Sequence, residues 1–433
     1  MKKEFMGLFI SFALVACALL GVTVYGQTNK NVYVATNEAF IDAVANAKED
    51  ETIILQEDIE IDENLDITTT VTLDLNGKTL KNSSNESSDA LISIKENAAL
   101  TITGDGVIEA TENERNAIDI SGGSLTIDGG TVIGNESAVF VNEGQVKING
   151  GVFKNAQISR SIHYQLDGVE ENFANGTASI VVTGGSFQQF DPAGSYTDNP
   201  HRNFVAEGYK SVYNQETGFY DVVAIVNVEV STAAELLDKI AHTKENEIIV
   251  LKNDIETQEN ININKTITLN MNGKTLKATQ DLWNSANREW SVISVQAGGN
   301  LTITGNGTIE ASDGESDECY ALDVRDGGKL TIENGTFIGN CSALYVHTGE
   351  ATILDGVFNI HDNNEAYDYA YLLNCRDASL KDGTAKIFVK GGSFYKLNPA
   401  NSRSENPLYN FVPTGYTSVY DDNTEFYHVS KLA

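Results

Sequence analysis

The 433-residue sequence is short of basic residues, with 29 lysines and arginines against 61 aspartates and glutamates. Its formal net charge at pH 7 is −32. A nucleic acid or an anionic membrane surface would repel such a chain, so this balance argues against both as partners. No EF-hand or nonapeptide calcium loop is present, although a calcium ion held by outward carboxylates stays open as an alternative. No cofactor is expected.

One short phrase, in contrast, is present in ten copies. Each copy alternates apolar and polar residues and then reaches a glycine-bearing turn, as in Leu100-Thr-Ile-Thr-Gly104. Alternation of period two predicts a strand with one buried face, and the glycine permits the positive backbone dihedral of a sharp bend. The copies start at Leu73, Leu100, Leu125, Val146, Ile180, Leu269, Leu301, Leu330, Ala351 and Ile387.

The spacing of these copies predicts a solenoid. The first five starts are 27, 25, 21 and 34 residues apart, which is typical of stacked circuits with loops in the longer intervals. Two inward columns are expected, one of Leu100, Leu125, Val146 and Ile180 and one of Ile102, Ile127, Ile148 and Val182. A third column of apolar residues stands seven positions after each start: Leu80, Val107, Val132, Phe153 and Phe187. Because crossovers between parallel strands are nearly always right-handed, we predict an all-β, right-handed parallel β-helix. An antiparallel sandwich is the alternative.

Both halves of the chain begin and end alike. A helix is predicted over about residues 36–48 and again over 232–244, where the second copy opens on a Thr-Ala-Ala-Glu capping box. Such a helix can cover the open apolar end of a stack. Aromatic stretches at 209–220 and 416–427 predict a pair of strands over each far end. The predicted tandem units are residues 27–224 and 225–433, without a Pro/Ser linker between them.

The first 26 residues read as an export signal. Lys2 and Lys3 precede an apolar run over about residues 5–24, and cleavage is expected before Gln27. The stretch ending at Cys17 also resembles the lipobox of bacterial lipoproteins, so lipidation of Cys17 is an alternative, as is an uncleaved anchor. We expect a secreted or cell-surface protein that contacts the membrane only through this segment.

These features together resemble the pectate-lyase-like right-handed parallel β-helix superfamily. The resemblance is carried by the repeated phrase, by the helix before Glu51-Thr-Ile-Ile-Leu55, and by the turn Asn76-Gly-Lys-Thr-Leu80. The chain looks most like the adhesin-like repeat proteins on the surfaces of gut and other anaerobic bacteria, over nearly all residues after the export signal. The resemblance implies the fold and leaves the function open, since that fold carries lyases, hydrolases, tailspikes and non-enzymatic surface proteins.

The catalytic signatures of that superfamily are missing from the sequence. We find neither the Asn-Thr-Asp, Asp-Asp and Gly-His-Gly set of the polygalacturonases nor the Arg-x-Pro-x-x-Arg of the pectate lyases. Outward Asp119 and Asp128, or Asp323 and Glu333, could stack as carboxylate pairs, but on so acidic a chain a solvated face is the simpler expectation. No catalytic residue is therefore predicted, and a non-catalytic protein is favoured.

Two cysteines of the second unit are one repeat apart. Cys319 and Cys341 are separated by 22 residues and open similar phrases. Adjacent strands lie about 4.8 Å apart, within the Cα separation that a disulfide accepts. We predict a Cys319–Cys341 disulfide, with reduced thiols as the alternative and Cys375 left over. No histidine pattern accompanies the cysteines, so no metal site is expected.

Both tryptophans lie on one loop of the second unit. Trp283, Arg288 and Trp290 occupy a stretch five residues longer than its counterpart at 81–90 in the first unit. Aromatic rings beside an arginine can stack on sugar rings and bond their hydroxyls, so these three residues are the predicted glycan-binding residues. The alternative is that one tryptophan is only a lid over its circuit.

The sequence thus favours an exported, non-catalytic surface protein that acts in adhesion or glycan binding. Its expected partner is a polysaccharide or a glycan of a host or cell surface. A polysaccharide lyase or glycoside hydrolase is the first alternative, and a structural spacer or phage-type surface fibre is the second.

Overall fold

A computed structural model describes residues 30–49, 51–82, 89–110, 116–156, 164–194, 202–284, 286, 288–313, 319–361, 371–402 and 408–432. The predicted export signal and Cys17 lie outside these residues. The described chain is mostly β and contains several parallel sheets. It divides into two compact units between Ala224 and Ile225. Within the described residues, no helix has both the length and the apolar character needed to cross a membrane.

The first unit contains two sheets. The larger sheet has ten strands in parallel pairs. Its strands are Lys30–Val34, Glu51–Leu55, Leu65–Ile67, Thr70–Asp74, Ala90–Ile94, Ala99–Thr103, Asn116–Ile127, Ser137–Ile148, Leu166–Gly168 and Ala178–Val182. The smaller sheet ends in an antiparallel hairpin. Its strands are Ile59–Ile61, Lys78–Asn82, Gly106–Glu109, Thr131–Gly134, Val152–Asn155, Ser186–Gln188, Tyr209–Asn214 and Phe219–Ala224.

The second unit distributes its strands over three sheets, called here the first, second and third sheet. The first sheet holds Val226–Val230, Glu247–Leu251, Thr266–Asn270, Asn300–Thr304, Gly328–Ile332, Gly349–Ile353 and Ala385–Val389. The second holds Ile255–Thr257, Thr275–Ala278, Thr308–Glu310, Thr336–Gly339, Val357–Ile360, Gly392–Tyr395, Tyr416–Asp421 and Phe426–Lys431. The third holds Ile261–Ile263, Ser291–Val295, Tyr320–Val324, Leu344–Val346 and Leu373–Cys375. From residue 247 to 395 the chain enters the three sheets in turn, so each circuit adds one strand to every sheet.

The predicted stacking of apolar residues is confirmed by the strand register. Parallel pairing aligns the first two predicted columns residue by residue across four circuits, and every member is buried. The aligned sets are Leu100, Leu125, Val146 and Ile180, and Ile102, Ile127, Ile148 and Val182. Each circuit therefore buries the apolar face that its neighbour would otherwise expose.

Two positions depart from a simple alignment of the repeated phrase. Val71, rather than Leu73, pairs with Leu100, because the first copy of the phrase begins two residues earlier than its apolar pattern suggests. In the third column Ile108 is buried and pairs with Leu80, whereas Val107 is only partly buried. The turn before Val107 is one residue longer than its counterparts downstream, so the inward position shifts by one.

A short helix opens each unit, as predicted. The first runs over Asn37–Ala45 and the second over Ala233–His242, each beginning just after a threonine N-cap. In the second, Thr232 Oγ1 accepts from Glu235 N at 3.2 Å, as in a capping box. The return bond is displaced by one residue, because Glu235 Oε2 accepts from Ser231 N, just before the N-cap, at 2.7 Å. Further short helices occupy Glu170–Asn175 and Asp377–Asp382, and a 3₁₀ turn occupies Pro399–Asn401.

Aromatic hairpins close both units, also as predicted. In the first unit Tyr209–Asn214 pairs antiparallel with Phe219–Ala224, and in the second Tyr416–Asp421 pairs with Phe426–Lys431. Each hairpin joins the last parallel strand of its sheet with reversed polarity, for example through Phe394 opposite Tyr427. A further parallel circuit therefore cannot continue the second sheet in the same pattern.

Phenylalanines form a stacked column inside the second unit. Phe337, Phe358 and Phe394 stand opposite one another in three successive second-sheet strands. Ring centroids are 5.1 Å apart for the first pair and 4.9 Å for the second, with interplanar angles of 23° and 10°. All three side chains are fully buried, so this column is part of the core.

Glycine pairs bring neighbouring circuits of the first unit into close contact. A Cβ added to Gly150 would lie 2.6 Å from the carbonyl oxygen of Asp128, in the circuit before it. The next residue, Gly151, has φ +93°, a conformation that L side chains rarely adopt. Gly77, whose turn also follows an earlier circuit, would meet no described atom within 4 Å. The steric demand at Gly150 thus comes from the circuit that precedes it, and it differs from one turn to the next.

Candidate functional site

A polar row crosses the third sheet of the second unit. The strand register aligns one outward residue from each of five circuits. The row consists of Asn262, Ser294, Asp323, Tyr345 and Asn374. The flanking inward residues are apolar and belong to the core. This face of the sheet is the place where the tryptophan loop packs.

The tryptophan loop is a narrow hairpin. Asn284 and Glu289 exchange two backbone hydrogen bonds, of 2.7 and 2.9 Å, and Arg288 adopts a left-handed φ of +58°. Trp283 and Trp290 flank this bonded pair, and their rings stack with centroids 6.1 Å apart and an interplanar angle of 29°. Positions beside a hydrogen-bonded pair bring cross-strand side chains close together. The hairpin thus explains why two tryptophans seven residues apart in sequence are in contact.

Trp290 packs onto the sheet. Arg325 and Arg288 place their guanidinium carbons 5.2 and 5.8 Å from its ring centroid. The rings of His347 and Tyr345 lie 5.6 and 6.3 Å away. With Trp283 stacked on it as well, Trp290 is a supporting layer, which agrees with the lid interpretation for this one tryptophan.

Trp283 borders an open pocket. Its ring meets that of Tyr320 edge-on at 5.7 Å, and its backbone N–H donates to Asp281 Oδ1 at 2.7 Å. The pocket has a volume of about 430 Å³ and a predominantly polar wall. Its lining consists of Gln258, Glu259, Asn260, Asn262, Gln280, Asp281, Leu282, Trp283, Asn284 and Glu289. Of the three predicted glycan-binding residues, only Trp283 is in this lining.

Arg288 lies outside the lining, at the other end of the hairpin. Its two terminal nitrogens each lie 3.1 Å from a carboxylate oxygen of Asp326, forming a bidentate ion pair.

His347, which packs against Trp290, has a lowered pKa. Burial is the main cause, and the nearby arginines, Arg376 foremost among them, add to it. The charged form of His347 is therefore disfavoured.

A buried charged pair lies behind the pocket, and it overturns one sequence expectation. Asp323, expected on a solvated face, is 0% exposed, and Arg325 is 3% exposed. Arg325 Nε lies 3.6 Å from Asp323 Oδ2, while Ser291 Oγ donates to Asp323 Oδ1 at 2.6 Å and Ser294 donates to the same oxygen. Burial raises the pKa of Asp323 against the opposing effect of Arg325. The tryptophan loop covers this face, which explains the burial.

This pair is connected to the pocket wall. Arg325 Nη2 donates to Asn262 Oδ1 at 3.4 Å, and the Gln296 side chain donates to the same oxygen. Because the oxygen of Asn262 accepts these bonds, its amide nitrogen is the group that it can offer to the pocket. Arg325 is thus a positioning residue for one wall of the pocket.

The cysteines lie beside this site. Cys319 and Cys341 extend the aligned strands at matching positions, and Asn340 N donates to Cys319 O at 2.9 Å, so the predicted backbone proximity is present. Both side chains are buried thiols in the structure, and the disulfide itself stays a prediction. Cys319 Sγ accepts from Leu282 N at 3.1 Å and lies 3.4 Å from Asp281 Oδ1. Cys319 therefore anchors the start of the tryptophan loop.

The first unit repeats the polar row. Its aligned residues are Asp66, Ser93, Asp119, Phe140 and Asp167. Ser93 and Asp119 correspond to Ser294 and Asp323, but among the described residues no arginine is paired with the aspartate. Burial, reinforced by nearby Asp89 and opposed by Lys95, raises the pKa of Asp119 to about 6, although Asn116 donates to its carboxylate at 2.8 Å.

We expect Asp119→Asn to stabilise the protein at pH 7 but not at pH 4. The native state binds this proton more tightly than the unfolded chain, so stability falls as pH rises from about 4 through about 6. The shift corresponds to about 3 kcal/mol at most, and partial exposure reduces the expected gain to about 1–2 kcal/mol. Urea unfolding of wild type and Asp119→Asn at pH 4 and pH 7 measures this difference in unfolding free energy. The control is Asp128→Asn, whose carboxylate is exposed as expected; an equal gain there would contradict the assignment.

Among the described residues, no cluster of three or more His, Cys, Asp or Glu side chains is arranged to hold a metal ion. Glu333 is exposed, as the solvated-face expectation for it requires. Sequence reasoning missed the amide-rich wall around Asn262. The available sequence signal was weak: neither 291–295 nor 320–324 alternates strictly between apolar and polar residues. In the structure all five residues of each strand are buried, as in a strand covered on both faces.

Comparison with models of protein families gives no match, and no curated protein matches the chain significantly.

Proposed function

We propose that the chain is an exported surface protein that binds a glycan, without cleaving it, in the pocket beside Trp283. The observation that supports this most is the composition of the pocket, which combines one tryptophan with five amide and three carboxylate side chains. Aromatic rings stack on the apolar face of a sugar, and amides and carboxylates bond its hydroxyls. A volume of about 430 Å³ suits one or two sugar rings.

The scaffold that we propose is a tandem pair of right-handed parallel β-helices, each opened by a capping helix and closed by an aromatic hairpin. The regular visits to the three sheets in the second unit support this, since each circuit returns to a parallel strand by a crossover. Residues 27–224 and 225–433 form the two units in this proposal. The resemblance to adhesin-like repeat proteins is consistent with it.

Export through residues 1–26 would place the protein outside the cell, either secreted or attached to the surface. Lipidation at Cys17 is the alternative route to attachment. The net charge of −32 supports a partner other than nucleic acid, because phosphate would be repelled.

Trp283→Ala is expected to weaken glycan binding at least tenfold. The substitution removes the only aromatic ring in the described lining, and tenfold corresponds to about 1.4 kcal/mol, within the range of one stacking contact. A glycan array identifies binders for residues 27–433, and calorimetry then compares affinities. Reducing ends are assayed in the same samples, with and without calcium.

Tyr33→Ala is the matched control, because Tyr33 is a 62% exposed aromatic residue of the other unit. Near-UV circular dichroism checks that the Trp283 variant keeps its fold. Binding that survives in Trp283→Ala would place the glycan elsewhere. New reducing or unsaturated ends would instead favour a lyase or hydrolase, and silence in every assay would favour a spacer or fibre.

A further inference from the structure

We infer that the pocket beside Trp283 selects uncharged sugars and rejects uronic acids. This inference rests on the proposed function and specifies its ligand class. It concerns charge: three carboxylates, those of Glu259, Asp281 and Glu289, line one pocket. None of its described lining residues is a lysine, arginine or histidine.

Two arginines that contact the tryptophan loop are engaged elsewhere. Arg288 is bound through both terminal nitrogens to Asp326, and Arg325 is buried beside Asp323. Burial, with the arginines around it, lowers the pKa of His347, which disfavours its charged form. An arginine must present its planar fork to a carboxylate to recognise it, and neither guanidinium lines the pocket. A sugar carboxylate would therefore meet only negative charge and neutral amides.

A neutral hexopyranose suits the same groups. A carboxylate accepts hydrogen bonds and cannot donate them at pH 7, so each of the three acids can accept hydrogen bonds from the hydroxyls of a ligand. Neighbouring hydroxyls of a sugar supply such donors in pairs. Asn262 can offer its amide nitrogen as a donor in return, because Arg325 and Gln296 bond its oxygen. Trp283 provides the apolar surface on which the ring stacks.

Electrostatics sets the expected discrimination. A ligand carboxylate within several ångströms of three fixed negative charges is repelled, and salt screens this repulsion over about 8 Å at physiological ionic strength. We expect the full chain to bind a neutral oligosaccharide at least tenfold more tightly than the uronate of identical linkage. The ratio should shrink when the salt concentration is raised to 1 M.

The test pairs oligosaccharides that differ only at C6, such as a glucan and the matching glucuronan, or a galactan and the matching galacturonan. Wild type is compared by calorimetry with Glu259→Gln/Glu289→Gln, which keeps size and polarity while removing two charges. The double variant should bind the two members of a pair within threefold of one another. Asp281 is left unchanged, because it also accepts from Trp283 N and lies beside Cys319.

A uronate that binds wild type as tightly as its neutral partner, and loses that binding in Trp283→Ala, would overturn the inference and leave the proposed function intact. An unchanged preference in Glu259→Gln/Glu289→Gln would also overturn it, since the carboxylates would then not cause the selection. If no saccharide binds wild type at all, the proposed function fails first.

Discussion

Replacing Phe358 with alanine is expected to lower the free energy of unfolding by about 3–5 kcal/mol. Phe358 is the middle ring of the buried column between Phe337 and Phe394, with centroids 5.1 and 4.9 Å away. Its removal leaves a cavity and ends both stacking contacts. Because both tryptophans, Trp283 and Trp290, belong to the same unit, urea unfolding followed by tryptophan fluorescence reports on the affected part of the chain.

Phe358→Leu is the matched control for this change. Leucine keeps most of the apolar volume while losing the ring, so its cost should be clearly smaller than that of alanine. If the alanine variant loses less than about 1 kcal/mol of unfolding free energy, the column contributes little to stability. Removing a fully buried phenylalanine from a close-packed core normally costs several times more. Equal losses for both variants would assign the effect to stacking rather than to the cavity.

Asp323→Ala is expected to cost about 3–5 kcal/mol and to weaken glycan binding as well. The alanine leaves Arg325 buried without a counter-charge, and it removes the acceptor of the Ser291 and Ser294 hydroxyls. Arg325 then loses the partner that fixes its orientation towards Asn262 in the pocket wall. Urea unfolding measures the first effect, and calorimetry with the best glycan of the array measures the second.

Two companion variants separate charge from hydrogen bonding at this position. Asp323→Asn keeps an acceptor for the serines and should cost less than alanine. Asp323→Ala combined with Arg325→Met removes both charges, and its stability should recover by at least about 1 kcal/mol relative to Asp323→Ala alone. If the double variant is as unstable as the sum of its parts, the two residues do not interact.

The repeating part of the fold follows from the sequence because its cause is local. Leu125 and Ile127 alternate with polar residues and precede a glycine pair, so the strand, its buried face and its turn are all encoded within a few residues. Stacking then follows from repetition. The departure at Val107 has the opposite origin: the extra turn residue before it could be accommodated on either side, and only pairing with Leu80's strand decides which.

The candidate site could be predicted only in part, because it depends on contacts between loops and sheet. Trp283 and Trp290 are conspicuous by composition, but their different roles arise from which ring faces the sheet. Asp323 lies at an outward position of its strand. No local sequence pattern predicts that the tryptophan loop, which belongs to the preceding circuit, covers it. The amide wall comes from two successive circuits, around residues 258–262 and 280–284, so no single stretch of sequence contains it.

The glycine pairs also bear on how such a chain can change over evolutionary time. Gly150 is required by the carbonyl of the preceding circuit, whereas Gly77, in a turn that also follows another circuit, has no such neighbour among the described residues. A circuit that is duplicated whole contains both partners of this contact. Its carbonyl approaches the turn of the next circuit, and its glycine leaves room for the carbonyl of the circuit before. Tandem duplication therefore lengthens the stack without a steric clash, while a single substitution at Gly150 creates one. We therefore expect the number of circuits to change more readily in evolution than the glycines of the turns.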